Sequence, residues 1–190
     1  MHIGHACINL TGIPCLGLEM GRMNAPTNLG VSGLIAISAN DLRQACSAIA
    51  DYEILSSFNV RGQSKFYLDQ SEGPNDGILE FYSLSPYNEY NYFVVDSVLS
   101  GWMYIIASLV DSKNAVKKVC FEFPEPNYGD KYYEFFDCEV MFNQPANQLV
   151  INAAWLDRIC LNSCQSVYQS LKRHADSELA NVQLGLSFTE

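Results

Sequence analysis

From Tyr90 to Asp111 the chain reads YNYFVVDSVLSGWMYIIASLVD, apolar at nearly every position over about five turns of helix. The polar and small residues form a band. Asp96, Ser100, Tyr104 and Ser108 recur every four residues with Ser97 and Gly101 beside them, a spacing that places them on one side of a helix. A helix this apolar around the rest of its circumference has to be covered. Its length approaches the roughly 20 residues of a membrane span, but Asp96, the serines and the glycine interrupt it, and the flanking segments read as soluble strands. The pattern predicts the central helix of a compact domain with a sheet on its broad face, and no membrane partner.

The preceding residues are helical in period. Ile3, Ala6, Cys7 and Leu10 share a face. This helix has no cap, as though the chain began inside a longer protein. Thr11-Gly12-Ile13-Pro14 breaks it, and Pro14 suits the first turn of a helix over Cys15–Met20 that ends near Gly21. A loop over 24–28 follows, then a short apolar helix from Gly30 to Ile37. Ser38-Ala39-Asn40-Asp41 offers an N-cap for a helix running to about Ser56.

Beyond Ser57 the period becomes two. Phe66 and Leu68 alternate with Lys65, Tyr67 and Asp69; a dense turn signal spans 71–77; Ile78–Leu84 is a second strand, giving an antiparallel hairpin. Pro86 and Asn88 lead into the central helix. After it, Val119, Phe121 and Phe123 predict a strand ended by Pro124 and Pro126, and Asp130–Phe136 a short helix. Cys138, Val140 and Phe142, a turn over 143–147, and Leu149–Ile151 read as a second hairpin. Asn162 or Ser163 would cap a last helix from about Cys164 to Leu179, and the tail from Val182 has no pattern. The predicted fold is α+β: one domain over 1–190, with N-terminal helices in 1–56 and a core in 57–179 of two hairpins and a lone strand wrapped on the buried helix.

Composition narrows the function. At 190 residues, 48% hydrophobic, the chain can bury one real core. A net charge of -10 argues against binding nucleic acid; Lys117-Lys118 and Lys172-Arg173-His174 are short solvated clusters. The seven cysteines are odd in number, follow no signal peptide and sit mostly among apolar residues, which points to free thiols in a reducing cytoplasm. Cys160 and Cys164 on a shared helix face, or His2 with His5, would be the thin beginnings of a metal site; packing and surface roles are the simpler readings, and no cofactor is implied.

No phosphate loop, dinucleotide fingerprint, nucleophile elbow or zinc-finger spacing is present. An acid–base pair of Glu80 and Glu122 would be the enzymatic alternative, and a ligand-free interaction module the other. The aromatic residues around the sheet and central helix suggest a core, or a cavity with aromatic walls and a few orienting polar groups. On chemistry alone the candidate ligand-binding residues are Arg61, Tyr67, Tyr82, Asp96, Trp102, Tyr104 and Phe121.

Three stretches carry a resemblance. Leu10–Gly21, LTGIPCLGLEMG, is similar to a Leu-Thr-Gly-x-Pro-x-Leu-Gly-Leu-x-x-Gly segment; Gly30–Leu55 resembles a Gly-x-x-Gly-x-Ala-x-x-Ser start followed by a helix closing on a tyrosine; Phe135–Leu171 looks like a short helix, a Phe-x-Cys-x-Val-x-Phe strand, an asparagine-containing turn and a Leu-Asp exit. Together they resemble the N-terminal, arabinose-binding-type effector domain of AraC-type transcriptional regulators. The family commonly has Pro-Leu after the Leu-Asp step, where this chain has Arg158-Ile159-Cys160. The resemblance implies a cytoplasmic bacterial sensor that binds a small-molecule effector. It further implies a possible homodimer whose DNA contacts lie in a C-terminal helix-turn-helix region absent from these 190 residues, and no catalysis.

Overall fold

In the computed structural model, residues 2–56, 62–70, 75–84 and 89–187 are described. Arg61, the turn over 71–74 and the Pro86–Asn88 lead-in lie outside them, as do the side chains of His2 and His5. Helix α1 (His2–Thr11) ends at Gly12, whose φ of +67° is a left-handed conformation suited to glycine. Helix α2 (Leu16–Arg22) starts two residues after Pro14. A 3-10 turn (Pro26–Leu29) occupies the expected loop and leads into α3 (Gly30–Ser38). Asp41 caps α4 (Leu42–Asp51) as its position predicts, its carboxylate accepting the Gln44 N–H at 2.9 Å. The helix expected to reach Ser56 is broken at Tyr52, and α5 is the short Glu53–Ser56.

Strands β1 (Gly62–Leu68) and β2 (Gly77–Ser83) form the predicted antiparallel hairpin. The central helix is α6 (Glu89–Val110). Then come β3 (Val116–Cys120), α7 (Asp130–Phe136), β4 (Glu139–Met141), β5 (Asn147–Ile151), α8 (Ala153–Leu156) and α9 (Gln165–Ser187). The last helix begins within one residue of its expected start at Cys164, so that Cys164 rather than Asn162 or Ser163 stands before it, and it outruns its expected end at Leu179 by two turns.

Among the described residues the strands make one five-stranded sheet in the order β1-β2-β5-β3-β4. The expected second hairpin does not form. β5 inserts between β2 and β3, antiparallel to both, and β4 lies on the far side of β3, parallel to it. Two nonlocal ties explain this. The Asn143 and Gln144 N–H groups donate to the carbonyls of Phe123 and Phe121 at 3.1 and 2.9 Å, so the turn crosses the end of β3 instead of folding β4 back. α7 supplies the crossover that a parallel pair requires. The third strand also sits earlier than expected. Phe121 and Phe123 lie beyond its end, both fully covered, with Phe121 packed on Tyr132 and Phe136 of α7.

One sheet face packs on α6, where Phe81 meets Trp102 edge-on with ring centres 6.3 Å apart. Val95, Leu99, Met103, Ile105, Ile106 and Leu109 bury the rest of the helix's apolar surface. By length and composition Tyr92–Val110 could cross a membrane, but most of it is covered inside the domain.

Candidate functional site

The polar band of α6 divides into two halves with different work. Around Ser100 and Gly101 it is a packing seam. A Cβ added to Gly21 would fall 1.6 Å from Ser100 Oγ and 2.5 Å from the Gly101 nitrogen, and one on Gly17 would fall 2.6 Å from the Phe93 carbonyl oxygen and 2.7 Å from Asp96 Cβ. α2 therefore lies backbone-to-backbone on α6. Ser100 Oγ donates to the Gly17 carbonyl at 3.4 Å, while Ser97 and Ser108 satisfy their hydroxyls on their own helix.

The N-terminal half of the band borders a cleft. Pro124 and Pro126 hold the chain after β3 as it approaches α7, and the Gly129 N–H donates to the Pro126 carbonyl at 2.9 Å. Tyr128 and Tyr132 then stand one turn apart, rings stacked at 6.1 Å. Opposite them, Tyr92 on α6 stacks on Phe123 at 4.1 Å. Ile8 of α1 and Pro14 close the other side. The resulting cleft of about 420 Å³ is lined by Ile8, Pro14, Tyr92, Pro126, Asn127 and Tyr128, within the size range of small-molecule sites.

Behind its tyrosine wall lies a buried acid. Asp96, one turn beyond Tyr92, is 1% exposed, and the Tyr132 hydroxyl donates to its two carboxylate oxygens at 2.9 and 3.0 Å. Burial pushes the Asp96 carboxyl well above its ordinary value, opposed only by that hydrogen bond. Burial and then the neighbouring carboxylate raise the Tyr128 phenol to about 12, and the same two causes push Tyr132 up further.

Of the residues that chemistry alone nominates, only Asp96 is at this cleft, one layer behind its surface. Trp102, 4% exposed, packs on Phe81, and Phe121 is buried among Phe123, Tyr132, Phe136 and Phe142. Tyr104 is half-buried, its ring 5.7 Å from Phe135. Tyr67 and Tyr82, 38% and 59% exposed, stand on the sheet face turned away from α6. Arg61 lies outside the described residues. The six described residues therefore do not line one cavity. Tyr92, Asn127 and Tyr128 were missed; the four-residue spacing of Tyr128 and Tyr132 after two prolines was the available signal.

Glu80 and Glu122 are differently engaged. Burial raises Glu80, but hydrogen bonds from Lys65, Gln148 and Tyr67 outweigh it and hold the carboxyl below its ordinary value. Burial raises Glu122, with the Asn147 amide opposing at 2.7 Å. Both groups brace the sheet: Glu80 ties β1 to β5 across its outer face, and Asn147 links Glu122 to the Phe81 carbonyl.

The paired cysteines are not on one helix. Cys160 is buried in the segment before α9, its N–H donating to the Asn40 carbonyl, and Cys164 is exposed. Among the described residues no three His, Cys, Asp or Glu side chains are grouped as a metal site needs.

The sequence profile of the N-terminal arabinose-binding domain of AraC transcription regulators matches residues 1–159. The crystal structure of the transcriptional regulator CdpR from Pseudomonas aeruginosa is similar in fold, with a TM-score of 0.69 over 83% of this chain at 16% identity. The chain spans 50% of that protein's length. No curated protein matches the chain. The chain belongs to the AraC arabinose-binding N-terminal domain family.

Proposed function

We propose that this AraC-family domain senses a small-molecule effector in the cleft between Tyr92 and Tyr128, with residues 1–190 acting as one regulatory unit. The observation that carries the reading is the cleft itself: about 420 Å³, walled by aromatic and apolar side chains, with Asn127 and the tyrosine hydroxyls as the polar groups that orient a ligand. Family membership supports the regulatory role. Occupancy would favour one arrangement of the domain and so bias how a dimeric regulator presents DNA-binding halves outside this chain.

The test is a thermal-shift screen of metabolites against this chain. A ligand at about one hundred times its Kd stabilises by about 2.7 kcal/mol, a rise in Tm of roughly 5–11 °C for a domain of this size. Tyr128→Ala, verified as folded by circular dichroism, abolishes the shift. Shifts that survive intact in folded Tyr128→Ala and Tyr92→Ala variants would place the site elsewhere.

A further inference from the structure

The chemistry of the same cleft narrows the class of its ligand, on the reading that the cleft is the effector site. Among the described residues lining it there is no lysine or arginine, and the chain carries a net charge of -10. A carboxylate or phosphate would find no counter-charge there. A sugar would need a dense set of hydrogen-bonding side chains, and the lining offers Asn127 and two phenols. What the cleft does offer is two tyrosine rings held in place from behind, Tyr92 by Phe123 and Tyr128 by Tyr132, with a buried carboxyl one ring further in. Aromatic faces attract organic cations, whose weakly hydrated heads bind against π-systems.

We propose that the cleft takes an organic ammonium compound, and that the cation's arrival ionises Asp96. The acid is well placed to respond. Among the described residues its hydrogen-bond partner is Tyr132, and around it stand Gly17 and Cys15 of the α2 end, Tyr92 of its own helix, and Tyr128; Lys131 of α7, beyond Cys15, is exposed and paired with Glu134 at 2.8 Å. None of the groups packed on the carboxyl is a cation. With the cleft empty, burial favours the protonated carboxyl. A cation on the far side of the Tyr128–Tyr132 stack supplies the missing positive charge across a low-dielectric layer, where Coulomb attraction is strong. Asp96 then releases its proton to solvent, keeps the hydrogen bond from Tyr132, and the site gains the negative charge that holds the ligand.

The experiment compares choline with 3,3-dimethylbutan-1-ol, its uncharged carbon counterpart of nearly the same shape, by isothermal titration calorimetry near neutral pH. Each titration is run in two buffers of different ionisation enthalpy. Choline is expected to bind about tenfold or more tightly than the alcohol, with an apparent enthalpy that changes between buffers as one proton leaves. Asp96→Asn, which keeps an acceptor for Tyr132, loses the buffer dependence and most of the preference. Tyr128→Ala weakens choline. Equal binding of the two probes, tighter binding of the alcohol, no binding of choline, or a preference for choline without proton release would each overturn the proposal. A library compound that raises Tm in a Tyr128-dependent way while choline fails would overturn the cation assignment and leave the effector cleft standing. Failure of every compound would remove both.

Discussion

Gly21 is the residue whose enlargement tests the architecture most directly. Two effects compete in Gly21→Ala. Alanine is the better helix former by about 1 kcal/mol, so on an isolated or exposed α2 the change would stabilise. Against α6 the new methyl meets Ser100 Oγ at 1.6 Å, Ser100 Cβ at 2.6 Å and the Gly101 nitrogen at 2.5 Å. The hydroxyl can rotate, but the other two atoms belong to the helix itself. α2 must then retreat by about an ångström to reach van der Waals separation. That opens the contacts made by Gly17 and by Leu18, which is fully buried. Overpacking of this kind costs about 1–3 kcal/mol and sometimes more. With backbone as the obstacle the upper part of that range applies, and the net expectation is a loss of about 2 kcal/mol after the propensity gain. For a chain of this length that lowers Tm by roughly 4–8 °C.

Urea unfolding followed by circular dichroism measures the difference, with an unchanged m-value as the control for a common unfolded state. A double-mutant cycle with Ser100→Gly sharpens it. Removing Ser100 Oγ and Cβ relieves part of the clash, so the double variant should recover at least about 0.5 kcal/mol relative to additivity. A Gly21→Ala protein as stable as the parent, or strict additivity in the cycle, would show that α2 is not seated backbone-to-backbone on α6.

Three further outcomes follow from the same structure. Trp102→Ala should cost about 3–5 kcal/mol as a buried aromatic truncation, whereas Tyr82→Ala on the outer sheet face should stay within about 0.5 kcal/mol; comparable losses in urea melts would contradict the placement of the two rings. Asn147→Ala deprives the Phe81 carbonyl and the Glu122 N–H of the amide that joins β2, β5 and the end of β3, and should cost about 3 kcal/mol; a variant as stable as the parent would deny that bracing. For Asp96 the folded carboxyl holds its proton at pH values where the unfolded one, with a pKa of about 3.9, has released it. The folded state then binds more protons, so stability falls as pH rises from about 4 toward the folded pKa. Chemical denaturation across that range should show the decline in the parent and a flatter profile in Asp96→Asn; identical profiles would refute it.

The helices were the legible part of the fold, because their signals are local. The long apolar period of α6, the Asp41 cap and the stop at Gly12 are each written in a few consecutive residues. Strand order was not, because a pairing partner is chosen by tertiary contact. Cys138–Phe142, a polar turn and Leu149–Ile151 have the look of a hairpin, and nothing local reveals that Phe121 and Phe123 capture the turn through their carbonyls. The bounds of β3 were displaced for the same reason. The alternation of Val119, Phe121 and Phe123 runs past the strand's end at Cys120, where Phe121 packs on Tyr132 and Phe136 of α7 instead of continuing a ladder. Tyr52 shows a third kind of limit. Its helical spacing continues the pattern of α4, but its hydroxyl is taken by Lys172 and Asp176 of α9, far along the chain, and the helix breaks at that anchor.

The polar band of α6 shows why the candidate site was half visible. Its four-residue repeat correctly announced a distinct face, but a repeat of small and polar residues suits a ligand wall and a close helix contact equally well. The discriminating signal lay elsewhere, in Gly17 and Gly21, whose own four-residue spacing matches Asp96 and Ser100 and lets two backbones meet. Where the glycines sit, the band is structure. Before α2 begins, where Pro14 lines the cleft, the band continues through Asp96 to Tyr92, and the space is filled from the other side by Tyr128 and Tyr132. The cleft thus exists because α2 is short and tightly seated. A longer helix would have covered Tyr92, and a looser one would have left Asp96 open to water, with an ordinary carboxyl in place of a buried one that answers to charge.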